Sequence, residues 1–460
     1  MSEEATLDEF AESTDAESEE IEIRESRFWG EVPEGWELIN GSDVYDVNPN
    51  PKPDSEPNTY IEMDALDTEL PWPEYFGKRN ASEYSGKTFT TGDTLFARIT
   101  PCTENGKAAF VPRMDTTVGI GSTEYAVLSP KTDQINPWFL YYLAKSYPVH
   151  NYAVSRMRGS TGRQRVPFSV FRRELDISLP PFSEQRKIVT VLYTVDRAIE
   201  KTKEIISKRE EVKSGLIQDI FRYGVDSDGQ LRSTGDNTYQ ETKYGSAPKG
   251  WNVLPLEDIV ADDASITYGI VKPGDHYPGG VPVVKVENIT NGEVQTDDLL
   301  HTDPEIHEKY DRAELNEGDL LFTIRGTVGR MGFVPAELEG GNLTQDTARI
   351  RVDGADPEFI RYYLESSTPH NYFQRHTKGQ AVQGINLEDL QKVPVHLPSR
   401  EEQNRIVKIL DSHTEQIQKE REYHDQLIRL KRGLQQDLLS GKVRTTDNNI
   451  EVPDEIAQHG

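Results

Sequence analysis

The chain has one cysteine in 460 residues, Cys102. An internal disulfide is impossible, and the composition suits a reducing compartment rather than a disulfide-framed secreted scaffold. No apolar run reaches membrane-spanning length, and the start has no basic-then-apolar leader. A soluble, cytoplasmic protein without membrane contact is expected. Bases are scarce: 51 Lys and Arg face 79 Asp and Glu, a net charge of −28. That sign normally argues against a nucleic-acid partner. Residues 1–26 hold eleven acids and one base, Arg24, and the rest of the chain still carries −18. The acidity reads as adaptation to a salt-rich, halophilic cytoplasm. At molar salt the Debye length is only ~3 Å, so distant carboxylates barely repel DNA and local contacts decide.

Catalytic motifs are missing as well. Residues 81–88 formally fit a relaxed phosphate loop, with Gly86, Lys87 and Thr88 in place. Such a loop needs a hydrophobic strand before it and a helix after it, whereas the sequence that follows is strand-like. Asn136-Pro137-Trp138-Phe139 is similar to the Asn-Pro-Pro-aromatic motif of amino-methyltransferases. Its partner in the second half, Asp356-Pro357-Glu358-Phe359, shows that the shared element is a helix cap followed by proline. The ten histidines and one cysteine give no zinc spacing. His150 and His370 read as core hydrogen-bonders. No catalytic residue, no metal and no cofactor bound by this chain are expected.

What the chain does contain is a repeat. LPPFSEQRKIV at 179–189 returns as LPSREEQNRIV at 397–407, and GLIQDIF at 215–221 returns as GLQQDLL at 433–439, both 218 residues later. Two copies of one unit imply two related sites and a pseudo-two-fold arrangement. Each copy opens on a Pro-x-Gly-Trp turn, at Trp36 and Trp251, where the indole is expected to seal a core. Strands are expected over 60–66 and 281–289. A Gly-Asp turn followed by a buried strand recurs at 91–99 and 317–325. Asn136 and Asp356 are predicted helix N-caps, with Pro137 and Pro357 in the first turn.

A long helix follows each globular part. Its 3-4 spaced seam runs Ile188, Leu192, Val195, Ile199, Thr202, Ile206, Arg209, Lys213, Leu216, Ile220 in the first copy. In the second it runs Ile406, Leu410, His413, Ile417, Glu420, His424, Leu427, Lys431, Leu434, Leu438. So narrow a stripe needs a partner, and the simplest is the other helix, antiparallel. About 37 residues at ~1.5 Å each give a rod roughly 55 Å long. The expected fold is α+β: two repeated globular domains joined by two long antiparallel helices as a coiled coil, with a pseudo-two-fold. The expected boundaries are a disordered acidic tail at 1–27, a first domain at 28–180, and its helix at 181–224. An exposed linker at 225–246 leads to a second domain at 247–397, its helix at 398–441 and a C-terminal tail at 442–460.

Acids make up about one residue in six, yet 145–173 contains none over 29 residues. That run carries Arg156, Arg158, Arg163, Gln164 and Arg165. The matching run at 370–387 is also acid-free and carries Arg375, Lys378, Gln380 and Gln383. Arg reads guanine, Gln or Asn reads adenine, and Lys or Arg holds phosphate. A second candidate is the turn after the buried strand, with Arg98, Thr100, Asn105 and Lys107 in the first half and Arg325, Thr327 and Arg330 in the second. These loops differ while their flanking strand matches, which suits two different recognition targets and equally suits ordinary loop drift.

On these features the chain resembles the specificity (S) subunit of Type I restriction-modification systems. The carrying residues are the two Leu-Pro…Glu-Gln helix starts, the GLQQDLLSGKVR helix end at 433–444, the paired Gly-Trp openings, and GDTLFARITPCTENGKAAFV at 92–111. The resemblance implies two target recognition domains, each reading one half of a bipartite double-stranded DNA target, on helices that set the spacer. It implies docking of two modification subunits, which methylate adenine with S-adenosylmethionine, and of restriction subunits that use ATP and Mg. The chain itself would be non-catalytic. The competing class is a coiled-coil protein-interaction scaffold without DNA specificity.

Overall fold

A computed structural model describes residues 25–53, 56–82, 85–160, 162–232, 239–290, 292–377, 384–446 and 448–457. Two units emerge: residues 1–203 with 422–460, and residues 204–421. The division cuts both long helices, so each unit owns the start of one helix and the end of the other.

Unit 1 begins with the hairpin β1 (Glu25–Ser26) and β2 (Gly30–Glu31), followed by β3 (Glu37–Asn40), the short helix α1 (Gly41–Val44) and β4 (Tyr45–Val47). Next come β5 (Asn58–Ile61), β6 (Gly77–Arg79), β7 (Lys87–Phe89), β8 (Thr94–Ala97), β9 (Ala108–Phe110), β10 (Gly119–Gly121) and β11 (Tyr125–Pro130). They form two four-stranded sheets, β6-β5-β10-β7 and β4-β11-β8-β9. Helices α2 (Pro137–Lys145) and α3 (Tyr147–Ser155) cover the second sheet, β12 (Asp176–Leu179) returns to pair with β3, and α4 (Phe182–Tyr223) leaves the unit. Asn136 caps α2 as predicted, accepting from the backbone of Trp138 at 3.0 Å and Phe139 at 3.2 Å.

Unit 2 repeats this plan. It contains β13 (Tyr239–Thr242), β14 (Gly245–Pro248), β15 (Asn252–Pro255), β16 (Thr267–Tyr268), β17 (Val281–Val284), β18 (Ile289–Thr290), β19 (Glu293–Val294) and β20 (Leu300–Thr302). After α5 (Pro304–His307) come β21 (Leu320–Thr323), β22 (Met331–Phe333), β23 (Asn342–Leu343) and β24 (Thr347–Ile350). Then α6 (Pro357–Leu364), α7 (Ser367–His376), α8 (Leu387–Gln391) and β25 (Pro394–Leu397) precede α9 (Arg400–Leu439), and α10 (Asp454–Ala457) closes unit 1. The pairing of β25 with β15 matches that of β12 with β3, β21 with β24 matches β8 with β11, and the parallel pair β17 with β23 matches β5 with β10. Asp356 caps α6 with the same two bonds as Asn136, at 3.0 and 3.2 Å. Trp36 and Trp251 are both buried in their cores.

Within each unit the helices run antiparallel. In unit 1, Asp196 meets Lys431 and Ile199 packs with Leu427. In unit 2, Arg209 bonds Gln416, while Ile220 and Phe221 share a core with Ile406 and Leu410. Every seam residue named above is buried or half-buried. The seam holds Arg209, Glu420, Lys213 and Lys431 because each polar member finds a partner: Arg209 pairs with Glu420, Lys213 lies over the Tyr362 ring, and Lys431 pairs with Asp196.

Several boundaries differ from expectation. The strands placed at 60–66 and 281–289 stop at Ile61 and Val284, where their parallel partners end at Gly121 and Leu343, and the chain turns into short 3-10 segments at Met63–Ala65 and Val286–Asn288. The acidic tail lies outside the described residues up to 24, but Glu25–Ser26 is hairpin strand, and the Arg27 backbone donates to Asp176 at 2.9 Å. The 225–246 segment is no bare link: Val225 is buried and β13 pairs with β14. Nor is 442–457 a loose tail. Arg444 pairs with buried Glu184, and Ile456 sits in the core of unit 1.

Candidate nucleic-acid interface

The Glu-Gln pair at each long-helix start supplies the frame. Trp36 Nε1 donates to Glu184 at 3.0 Å, and Trp251 Nε1 donates to Glu402 at 3.2 Å. Arg444 binds Glu184 through Nε at 2.8 Å and Nη2 at 2.9 Å, and its Nη1 reaches the Glu34 carbonyl at 3.0 Å. Arg232 does the same in unit 2, pairing with Glu402 and donating to the Lys249 carbonyl at 3.3 Å. Burial would raise the Glu184 carboxyl, but Arg444 and the indole hold it below its usual range. Gln185 and Gln403 accept the backbone N–H of Asn136 and Asp356, both at 2.8 Å, and donate to the Pro180 and Pro398 carbonyls, both at 3.0 Å. The Glu therefore ties the end of the other helix to the Gly-Trp turn, and the Gln fixes the cap of the first covering helix.

On this frame the two candidate segments of each half come together. In unit 1 the turn after β8 is bridged to the acid-free run at Ile99 and Arg165. Thr100 N donates to the Gln164 carbonyl at 3.0 Å, and Val166 N to the Arg98 carbonyl at 2.8 Å. In unit 2 the turn after β21 is bridged at Arg325 and Gly384, and Ile385 N donates to the Ile324 carbonyl at 2.9 Å.

The run in unit 1 is a hairpin closed by Arg158 and Arg165, whose backbones exchange bonds of 3.0 and 2.9 Å. Glycine is required at Gly159, where φ is +138° and a Cβ would lie 2.7 Å from the Arg163 carbonyl. Arg163 stands exposed at the tip, its guanidinium unpaired among the described residues, and Arg158 and Asn105 are also exposed. The other candidates are engaged within the protein. Arg165 binds the Glu124 carboxylate bidentately at 2.7 to 3.0 Å. Arg98 donates to the Val166 carbonyl at 2.9 Å and stacks on Phe168. Arg156 bonds Tyr152 at 2.8 Å and pairs with Glu174 at 3.4 Å. Lys107 donates to the Met63 carbonyl at 3.1 Å, Thr100 to Glu104 at 2.8 Å, and Gln164 is half-buried. These residues shape the surface, and Arg163 projects from it.

In unit 2, Arg325, Thr327, Arg330 and Arg375 are exposed, with Arg325 4.0 Å from Asp346. Thr323 Oγ1 donates to the Thr327 carbonyl and accepts the Arg330 N–H at 2.9 Å, so the loop is held by its own strand. Lys378, Gln380 and Gln383 lie outside the described residues.

Sequence reasoning missed Phe168. Its ring gathers Arg98 at 4.0 Å, Lys87 at 5.3 Å and Arg172 at 5.7 Å, the kind of positive rim that anions seek. The available signal was an aromatic side chain inside an arginine-rich, acid-free run. Lys87 belongs to β7, so no helix follows the residues that fitted a phosphate loop. His150 is half-buried and contacts the Thr103 carbonyl at 2.7 Å, whereas His370 is exposed and bonds Gln374 one turn along its own helix at 2.9 Å, so the expected core role fails for His370. Among the described residues, no group of three or more His, Cys, Asp or Glu is placed to hold a metal, and no helix is long and apolar enough to cross a membrane.

The family model for the Type I restriction modification DNA specificity domain matches residues 33–209 and again 248–427. Those spans cover most of the chain, which therefore belongs to that family. Among curated relatives, the EcoBI specificity subunit of Escherichia coli is 27% identical over 60% of this chain and 58% of its own length. The putative MjaX specificity subunit of Methanocaldococcus jannaschii is 24% identical over 90% of this chain and 95% of its own. Among solved structures, a chain from work on complex assembly and conformational transition of the type I R-M system matches with a TM-score of 0.55. It is 21% identical and covers 90% of this chain and 99% of its own, a likeness of fold.

Proposed function

We propose that this chain is the non-catalytic DNA-recognition subunit of a Type I restriction-modification complex. Each unit reads one half of a bipartite duplex target, and the helices set the gap. The observation that carries this reading is the convergence, in both units, of an acid-depleted run and a divergent turn on a matched strand. A protein-binding scaffold has no need of acid depletion at the same two places in so acidic a chain.

The solvent faces of the helices supply the docking surface for two modification subunits. Val212 is 58% exposed on α4 and Leu430 is 50% exposed on α9, at equivalent positions of the repeat. One turn further, exposed Gly215 and Gly433 sit inside helix, where a Cβ would meet nothing. A helix-interior glycine costs about 1 kcal/mol against alanine. With no contact among the described residues to require it, a close-packed partner helix accounts for it at both places. Exposed Tyr423, seven residues before Leu430, extends that face. S-adenosylmethionine, ATP and Mg then belong to the partner subunits.

The test is to co-express the chain with an adenine methyltransferase subunit from its genomic neighbourhood and map methylated adenines. A split motif with an unspecified gap is expected; an undivided motif, or no DNA retention, overturns the reading. If local contacts carry affinity in a salt-rich cytoplasm, binding persists at molar KCl, where counterion-release binding collapses.

A further inference from the structure

We propose that Lys145, at the end of α2, is a positioning residue that couples the reading loop of unit 1 to both long helices, a coupling not found among the described residues of unit 2. The inference rests on the reading of unit 1 as a DNA reader. The Lys145 amine bridges two carbonyls, Thr68 at 2.8 Å and Gly106. Gly106 closes the turn that bears Asn105. The same turn is held at Thr103, whose hydroxyl donates to the Ala97 carbonyl at 3.0 Å and whose carbonyl meets His150.

Thr68 belongs to a strap, residues 67–70, laid across the helices. The Asp67 carboxylate accepts the backbone N–H of Glu69 at 2.6 Å and Leu70 at 3.2 Å, and pairs with Lys203 of α4 at 3.0 Å. The Glu69 carboxylate lies 3.6 Å from Lys203 and 3.5 Å from His424 of α9, and its carbonyl accepts from Lys431 of α9. The Leu70 side chain packs between Ile199 and Leu427. Helix α2 is fastened to the same pair: Tyr142 donates to Asp196 at 2.6 Å, Lys431 pairs with Asp196 at 2.5 Å, and Gln435 donates to the Tyr142 carbonyl at 2.7 Å. The path from helix pair to strap to Lys145 to reading turn is thus unbroken, and desolvation of the half-buried Lys145 amine pushes its pKa down to about 7.

Unit 2 is built differently. The residue matching Lys145 is Glu365, which pairs with Arg361 on its own helix. The loop after β21 hangs from Thr323. Among the described residues of unit 2, no side chain of α6 hydrogen-bonds that loop, whose Val328 instead packs on the apolar core that α6 helps to build. A shift of helix against helix, such as partner docking would bring, therefore alters reading of the first half-site and spares the second.

The test is the chain in complex with its modification subunits, carrying Lys145→Met, with motif mapping and single-turnover methylation of duplexes altered in one half-site or the other. Discrimination at the first half-site is expected to fall about tenfold, the scale of one good base contact. Discrimination at the second should not change, and Lys145→Arg, which keeps donors for both carbonyls, should restore the first. Asp67→Asn, which frees the strap from Lys203 but leaves Lys145 in place, gives the same one-sided loss if Lys145→Met does not fold. Unchanged discrimination in a folded variant, or equal loss at both halves, overturns the inference. Absence of any split motif for the unaltered chain would instead refute the proposed function.

Discussion

Trp36 and Glu184 are 148 residues apart in sequence and 3.0 Å apart in space, indole to carboxylate, and Trp251 and Glu402 repeat the contact. Each carboxylate also takes an arginine that follows the opposite helix, Arg444 or Arg232. Glu184→Gln keeps an acceptor for the indole but leaves Arg444 without its counter-charge. Because the arginine is about one-third exposed, the expected loss is about 1–3 kcal/mol. It should be read as a lower urea midpoint with an unchanged slope. Glu402→Gln should behave alike in unit 2. Unchanged midpoints in both variants would show that the latch contributes nothing.

Arg163 and Arg165 are neighbours with different tasks. Arg163 projects unpaired among the described residues, while Arg165 clamps Glu124. Arg163→Ala should weaken binding through the first half-site by about 1–3 kcal/mol and leave thermal stability alone. Arg165→Ala should weaken the same half-site and also loosen the hairpin, leaving Glu124 with Arg98 at 3.9 Å. Titration against duplexes with either half scrambled, alongside thermal melts, separates the two effects.

The helix glycines give a prediction with opposite signs. Gly433→Ala should raise the stability of the free chain by up to about 1 kcal/mol, since nothing opposes the added methyl. Gly433→Phe should fold as well as the parent yet fail to co-elute with the modification subunit on size exclusion. A normal complex with phenylalanine there would remove this face as the docking surface.

His396 is buried on β25 with neither ring nitrogen hydrogen-bonded among the described residues, and burial pushes its pKa down to about 4. An unfolded histidine titrates near 6.5. Above that value both states are neutral and nothing is lost. As pH falls from about 6.5 to 4, the unfolded state takes up a proton that the folded state refuses, so stability declines by up to ~3 kcal/mol and then levels. His396→Leu should flatten this acid limb in denaturant titrations between pH 7 and 4. The equivalent residue in unit 1 is Ser178, so the effect belongs to unit 2.

The regular parts of this architecture were legible. A constant offset of 218 residues, two N-caps with prolines behind them and two 3-4 seams all describe local structure, and each is found where the pattern puts it. Both candidate segments were visible as departures from an acidic background. That they touch was not, because the Ile99–Arg165 and Arg325–Gly384 bridges join residues some sixty apart. Arg232 escaped for a related reason. It plays the part of Arg444 but sits six residues off the repeat offset, since a loop delivers it and loops do not keep register. Glu365 stands where Lys145 would be, and the strap has no counterpart among the described residues of unit 2, so comparing the copies could not reveal them.

Unit 1 is assembled from both extremes of the chain: Leu438, Leu439 and Ile456 lie in the same core as Trp36 and Ile188. Unit 2 is one uninterrupted stretch, 204–421. During synthesis the later unit can therefore finish first. The earlier one waits, its apolar interior open, until residue 456 has left the ribosome, which makes it the half that a premature stop codon would ruin and the half most in need of a chaperone.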